Sequence, residues 1–357
     1  MTHRTPFADR PAPDDPIRQR DYSLVGADTQ LATSTGLSGA EWYRTSVPRA
    51  RMKELMQRSD GPALRDTALW LGSMIAFATA GVLTWGSWWC VPFFAAYGVL
   101  YGSGGDSRWH ETGHGTAFRT QWMNAVVYQI ACFMVMRNPT VWRWSHTRHH
   151  TDTLIVGLDP EIALMRPPRF WRQMSNFVGL YDGWNAMRAM LRHAVGRVSA
   201  DEASYTPVSD RRAAFRVARV WVVIYTTTIV VAVLSQSWLP VVLVGLPRLY
   251  GQWHIQLTGF LQHGGLADDV LDHRLNTRTV YMNPISRFIY WNMNYHVEHH
   301  MFPQVPFHLL PELHAEIRDD LPPAARSMWA AWREMLPAIW RQRRDPAYFL
   351  RAEVGGR

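Results

Sequence analysis

Thr67–Trp85 runs for about nineteen residues without a charged side chain, close to the roughly 20 that a helix needs to cross the hydrocarbon core of a bilayer. In lipid every backbone polar group must be satisfied within the segment, so such a run admits little besides an α-helix. Trp85, Ser87, Trp88 and Trp89 form a tight aromatic turn, and Cys90–Ser103 continues as a second apolar run. A transmembrane hairpin is predicted, with spans over about 67–85 and 88–103. A second hairpin is predicted over about 217–235 and 239–261, turning at Gln236–Pro240. Pro247, Arg248 and His254 interrupt the last run, and a cation at that depth is costly unless it snorkels or meets a partner. A buried hairpin of a soluble protein fits the same hydropathy.

The net charge of +8 is carried almost entirely by arginine, Lys53 being the single lysine. A basic balance suits nucleic acid, acidic protein or anionic lipid. The eighteen tryptophans favour lipid, because indole concentrates at the water–lipid boundary, and no nucleic-acid partner is expected. The two outer turns carry no Lys or Arg, whereas the remaining segments are rich in them. The positive-inside rule therefore puts the termini and the loop 104–214 in the cytoplasm of a bacterial-type inner membrane. Met1–Arg20 lacks an apolar signal core, so the internal helices are expected to direct insertion. Cys90 and Cys132 lie in apolar stretches and form no Cys-x-x-Cys motif, which excludes a disulfide framework or a thiol metal site.

Residues 1–40 read as a flexible tail and 41–320 as the main membrane domain. Glu41–Arg58 reads as a basic amphipathic helix suited to an anionic membrane surface, with a solvated helix as the plainer alternative. Met123–Met136 is too short to span and is expected to be buried or re-entrant. Asp152–Pro168 is irregular, and Phe170–Val198 looks interfacial. Residues 321–357 form a C-terminal amphipathic helix and tail, which either docks on the membrane surface or packs as a core helix.

Three histidine clusters stand beside these runs: His110-Glu-Thr-Gly-His114, His146-Thr-Arg-His149-His150, and His296-Val-Glu-His299-His300. They hold eight of the fifteen histidines. Histidine is the commonest side-chain metal ligand, and positions i, i+3 and i+4 share one helix face. Eight imidazoles exceed the four ligands of a usual zinc site, and imidazole suits iron, copper, nickel and zinc alike. The count suits two metals. With the predicted topology all three clusters fall on the cytoplasmic face next to helix ends.

His-x3-His, His-x2-His-His and a later His-x2-His-His, in order around two membrane hairpins, resemble the membrane fatty-acid desaturase superfamily, whose likeness covers about residues 60–320. The run from His296 through Met301-Phe-Pro to His314 is similar as well. The resemblance implies an all-α integral membrane protein, four transmembrane helices in two hairpins with a cytosolic histidine-rich helical cap. It implies two non-haem iron ions that use O2 and two electrons to attack an unactivated C–H bond of an acyl substrate, giving a double bond or, in relatives, a hydroxyl. Carried over by position, His110, His114, His146, His149, His150, His296, His299 and His300 match the iron ligands, and His263 matches a ninth at the inner end of the fourth span. Some members carry an Asn four residues earlier that holds a metal-bound water; Gly259 stands there. Glu111, Glu298, Asp106 and Asp159 are the nearest carboxylates in sequence that could fix ligand rings through the second ring nitrogen. No fused rubredoxin or haem segment is evident, so electrons are expected from a separate ferredoxin- or cytochrome-type donor.

Two other readings use the same residues. His110-Glu111-x-x-His114 also fits a zinc metalloprotease, with Glu111 as general base and Asp159 as a possible third ligand, but it leaves six clustered histidines unexplained. A metal carrier would place its ligands near the bilayer midplane, whereas these clusters lie outside the spans. His308 and His314 follow the third cluster at helical spacing and read as packing or hydrogen-bonding partners beneath it.

Overall fold

The computed structural model describes residues 20–354. Among them the secondary structure is entirely helical, with two isolated bridges and no strand. Two helical runs, Arg49–Leu83 and Val208–Leu234, are long and apolar enough to cross a membrane, and 22% and 11% of their apolar windows are buried inside the protein. So little burial leaves Leu83, Val233 and Leu234 more than two-thirds exposed, an apolar surface that soluble proteins seldom carry.

The N-terminal region departs from the expected tail. Residues 1–19 lie outside the described residues, but 20–40 are packed: α1 (Ala27–Ser34) buries Ala32 with Ile155 and Leu158, and Thr29 donates to the Gly157 carbonyl at 2.8 Å. The apolar positions Ala32 and Leu37 are too few to show periodicity, so only the partner loop reveals their role. The basic helix expected over Glu41–Arg58 contracts to α2 (Arg49–Leu55), which Pro48 precedes. Proline fixes its own φ and offers no N–H, so a helix begins after it. Arg51 then meets Glu312 and Glu316 at 3.2 Å each, so part of that basic face turns to the protein's own carboxylates.

α3 (Asp60–Leu83) packs on α4 (Cys90–Val99) across the Trp85–Trp89 turn, where Trp88 is 90% exposed. Gly81 gives the Phe94 ring its place in this contact. The helical path does not stop at the predicted end of the span, residue 103. A π-helical turn, Leu100–Gly104, joins α4 to α5 (Gly105–Gly113), so one continuous helix runs from the apolar hairpin into the first histidine cluster. The turn is locked from three sides. Trp70 Nε1 donates to the Leu100 carbonyl at 2.8 Å, while Ser103 Oγ donates to Gly251 at 2.8 Å and accepts from the Ile255 N–H at 2.9 Å.

α6 (Gln121–Met134) lies along α5 with Asn124, Tyr128 and Cys132 buried, as its length implied. α7 (Pro139–Thr151) carries the second cluster; Asn138 caps it by accepting from the Thr140 and Val141 amides. α8 (Phe170–Asn176), α9 (Leu180–Ala194) and the capping-box helix α10 (Ala200–Tyr205) lead into α11 (Val208–Leu234).

The run expected as a single fourth span over 239–261 is broken into α12 (Leu239–Leu243), α13 (Pro247–Tyr250) and α14 (Trp253–His263). Gly245 at φ +97 and Pro247 make the first break, since a left-handed residue and a missing amide both end a helix. α15 (His273–Asn276) and α16 (Pro284–Tyr290) follow, then α17 (His296–Met301), which carries the third cluster, and α18 (Leu310–Ile317). Arg108 of α5 is fully buried among Trp70, Phe288 and Trp291 and donates to the Ile289 carbonyl at 2.5 Å, tying the first cluster's helix to the approach of the third.

The terminal helix α19 (Met328–Arg341) buries Ala331 and Met335 with Phe260 and Leu261 of α14, Ala338 is buried beside Gly265, and Trp332 Nε1 donates to the Leu257 carbonyl at 3.0 Å. The boundary expected at residue 320/321 is therefore crossed by core packing. Trp329 and Trp340 remain exposed on the other face, so α19 is a core helix with an aromatic outer side.

Candidate metal centre

Each cluster rides on an element whose placement is fixed elsewhere. α5 supplies His110, with His114 at its C-cap; α7 supplies His146, His149 and His150; α14 ends on His263; and α17 supplies His296, His299 and His300. Ligand atoms of His110, His114, His146, His150 and His299 all lie within 4.8 Å of one another, and those of His149, His263 and His300 form a second such group. His296 joins the second, its Nε2 being 3.1 Å from Nε2 of His300 and its ring centroid 5.1 Å from that of His263. All nine imidazoles predicted as ligands are thus brought together.

The nitrogens suit metal ions. The Nε2 atoms of His114 and His146 are 3.1 Å apart, and those of His146 and His150 are 3.2 Å apart. Two nitrogens bound to one metal through bonds of about 2.0–2.1 Å stand roughly 3.0–3.4 Å from each other. His299 is wholly buried with neither nitrogen hydrogen-bonded, and His110 Nδ1, His150 Nδ1 and His263 Nε2 are also buried without partners. Buried polar atoms are almost always satisfied, so this concentration of orphans in one place fits a site built to be completed by ions.

Electrostatics keep the rings in their ligand form. Burial, and then the neighbouring imidazoles, hold His110, His146, His150, His296, His299 and His300 well below the ordinary histidine value. Burial takes His114 to about 4 and His263 to about 3. Neutral imidazole is the species that binds a metal. His149 differs: burial lowers it, but the Asp159 carboxylate, at 2.9 and 3.0 Å from Nδ1, outweighs that and raises it.

A model of the fatty acid desaturase family matches residues 86–332. The chain belongs to the fatty acid desaturase family. Comparison with curated proteins finds no match. The matched stretch begins in the Trp85–Trp89 turn and ends within α19, so it contains all three histidine clusters, His263, α11 and the broken fourth segment.

Within this desaturase-family domain, partners of the rings differ from those nearest in sequence. Asp159 binds His149 as expected, and its oxygens also accept the Leu154 amide at 2.8 Å and the Glu161 amide at 2.7 Å. The other three expected carboxylates do not touch a clustered ring among the described residues. Glu111 accepts from Thr116 Oγ1 at 2.7 Å and from the Phe307 amide at 3.1 Å, and burial pushes it up to about 7. It staples α5 to the segment after α17, which removes the general base from the protease reading. Glu298 pairs with His314 and accepts from Thr279 Oγ1 at 2.6 Å, while Asp106 pairs with Arg137 at 2.7 Å and Trp109. The i+1 neighbour of a helical histidine points about 100° away, so adjacency in sequence works against contact.

Residues unmarked by the sequence do the work instead. Glu161, which burial pushes up to about 7, lies 3.0 Å from His146 Nδ1. The Asn276 carbonyl accepts from His263 Nδ1 at 2.9 Å, and the Gln262 amide lies 3.3 Å from His296 Nδ1. Thr153 Oγ1 is 3.2 Å from His300 Nδ1 and donates its own proton to the His149 carbonyl at 2.6 Å. It therefore accepts from Nδ1–H, leaving His300 Nε2 bare. The one sequence signal was Asp159-Pro-Glu161, a carboxylate pair ten and fifteen residues beyond the histidines they contact, His149 and His146. Such outer contacts fix tautomer and ring direction, so Asp159→Ala or Glu161→Ala is expected to lower metal affinity about 10- to 100-fold with the helices intact. Metal titration alongside circular dichroism measures both.

Proposed function

We propose that this chain is a membrane-embedded diiron oxidase that removes two hydrogens from an acyl or acyl-like substrate. The observation that carries the reading is the convergence of nine imidazoles into two adjoining nitrogen groups, each wide enough for one ion. The balance is substrate plus O2, two electrons and two protons, giving the alkene and two waters. When bound, the irons supply the oxidising chemistry that side chains cannot provide. The protein holds eight of the nine rings below the ordinary histidine value, pairs His149 with Asp159, and turns His146, His263 and His300 through Glu161, Asn276 and Thr153. Hydroxylation is the alternative outcome of the same oxidant, and the electrons come from a separate ferredoxin- or cytochrome-type donor.

In the proposed topology α3 with α4, and α11 with the segment α12–α14, form two hairpins whose outer turns, Thr84–Trp89 and Ser235–Trp238, lack Lys and Arg. This puts the histidines on the cytoplasmic side under the positive-inside rule. The break in the fourth segment is tolerable because it is buried against α4 and α9 rather than lipid.

Purified protein should carry about two irons per chain, a value set by the two nitrogen groups. A single zinc overturns the proposal. Expression with a matching reductase, followed by mass spectrometry of the lipid and small-molecule extract, should show a product lighter by two hydrogens. A gain of one oxygen assigns hydroxylation instead.

A further inference from the structure

The broken fourth segment carries a cation into the interior. Arg248, on α13, is 3% exposed, and its Nε is buried without a hydrogen-bond partner. No ion pair or hydrogen bond reaches its guanidinium among the described residues. Asp182 and Asp106 act on it only through space, and Asp106 is already committed to Arg137 at 2.7 Å. Arginine cannot shed its proton to escape this position, and withdrawing an ion from water costs several kcal/mol unless something compensates it.

Arg248 faces a cavity of about 620 Å³ whose wall includes His110, His146, His149, His263 and His296. That volume lies in the range of small-molecule sites, ~300–1,000 Å³. Tyr290 lines the same cavity, and its hydroxyl is also buried with no partner. Of the five other arginines on the wall, Arg172 and Arg188 meet no carboxylate among the described residues but are not buried, whereas Arg137 is matched by Asp106, Arg166 by Asp268 at 3.2 Å and Arg192 by Glu202 at 2.8 Å. Arg248 is not. A plain hydrocarbon needs neither a guanidinium nor a phenol at this depth, and both would be left unsatisfied beside it.

We propose that the cavity takes a compact amphiphile bearing an anionic oxygen group, a carboxylate or a phosphate, which Arg248 binds and Tyr290 orients, with the body of the molecule reaching the histidines. That this molecule is the one oxidised rests on the oxidase reading; its binding does not.

The test is calorimetric titration of the full-length protein in phosphatidylcholine nanodiscs with octanoate, and with octan-1-ol as the neutral match. Wild type should bind octanoate saturably and octanol about tenfold or more weakly, the ratio that one charge-assisted hydrogen bond supplies. Arg248→Met should lose that preference while keeping its helical circular dichroism and melting temperature, which report an intact fold. If Arg248→Met is not recovered folded, Arg248→Lys carries the test: the charge stays, the two-pronged geometry goes, and octanoate binding should still weaken. Nanodiscs containing phosphatidate divide the sources, since competition with octanoate assigns a lipid headgroup and its absence a free anion. Equal binding of octanoate and octanol by wild type, or unchanged octanoate binding by the variant, overturns the proposal. Failure of the oxidase reading would appear instead in the metal and product assays, which this titration does not involve.

Discussion

His299→Ala is expected to abolish turnover and to remove at least one of two bound metals. Its ring stands 4.6 Å from that of His110 and 4.9 Å from those of His114 and His150, at the middle of the larger nitrogen group. Neither nitrogen bonds to the protein, so the substitution breaks no hydrogen bond that holds the fold. His149→Ala would also abolish activity but would strand the buried Asp159 carboxylate, and breaking a buried pair costs about 3–5 kcal/mol. His299 is therefore the cleaner probe. Iron content, product formation and melting temperature of the metal-free protein should be read together. Two irons per chain with activity retained would remove His299 from the ligand set.

The second large effect is structural. At Gly251→Ala the new Cβ would lie 1.7 Å from the Gly98 carbonyl oxygen and 2.0 Å from its carbon, both backbone atoms. No rotamer can relieve a clash with backbone, so α4 and the turn between α13 and α14 must separate. The Ser103 bonds to Gly251 and Ile255 lie at this contact, and α14 carries His263. Destabilisation is expected at or above the top of the roughly 1–3 kcal/mol of ordinary over-packing, with weakened metal binding as its companion. Gly259→Ala is the control, because its Cβ meets nothing nearer than 3.9 Å, and helix-interior Gly→Ala gains about 0.5–1 kcal/mol. Thermal unfolding in detergent should separate the two variants; equal melting temperatures would contradict the close approach of Gly98 and Gly251.

The first apolar run and the histidine spacing were legible because both are periodic signals within one helix. Thr67–Trp85 falls almost wholly in α3, and each cluster lies on, or at the end of, a helix. The fourth run was not legible as three pieces. Pro247, Arg248 and His254 marked an interruption but not where the chain would turn, and the decisive contact is Gly251 against Gly98, about 150 residues away. The same holds for α1, whose burial depends on the loop at Ile155–Leu158.

By itself the sequence determined that eight clustered imidazoles were available as ligands, His263 joining them only through the family resemblance, and that apolar helices would stand beside them, since helical period and hydropathy are written locally. Only the tertiary structure decided which nitrogens stand close enough to one another to group, that Glu161 rather than Glu111 or Glu298 steadies a ring, and that Arg248 opens on the same cavity as the histidines. Those outcomes depend on where the chain returns after each cluster. A carboxylate one residue from a histidine can point away from it, while one fifteen residues on can be folded back to within 3.0 Å.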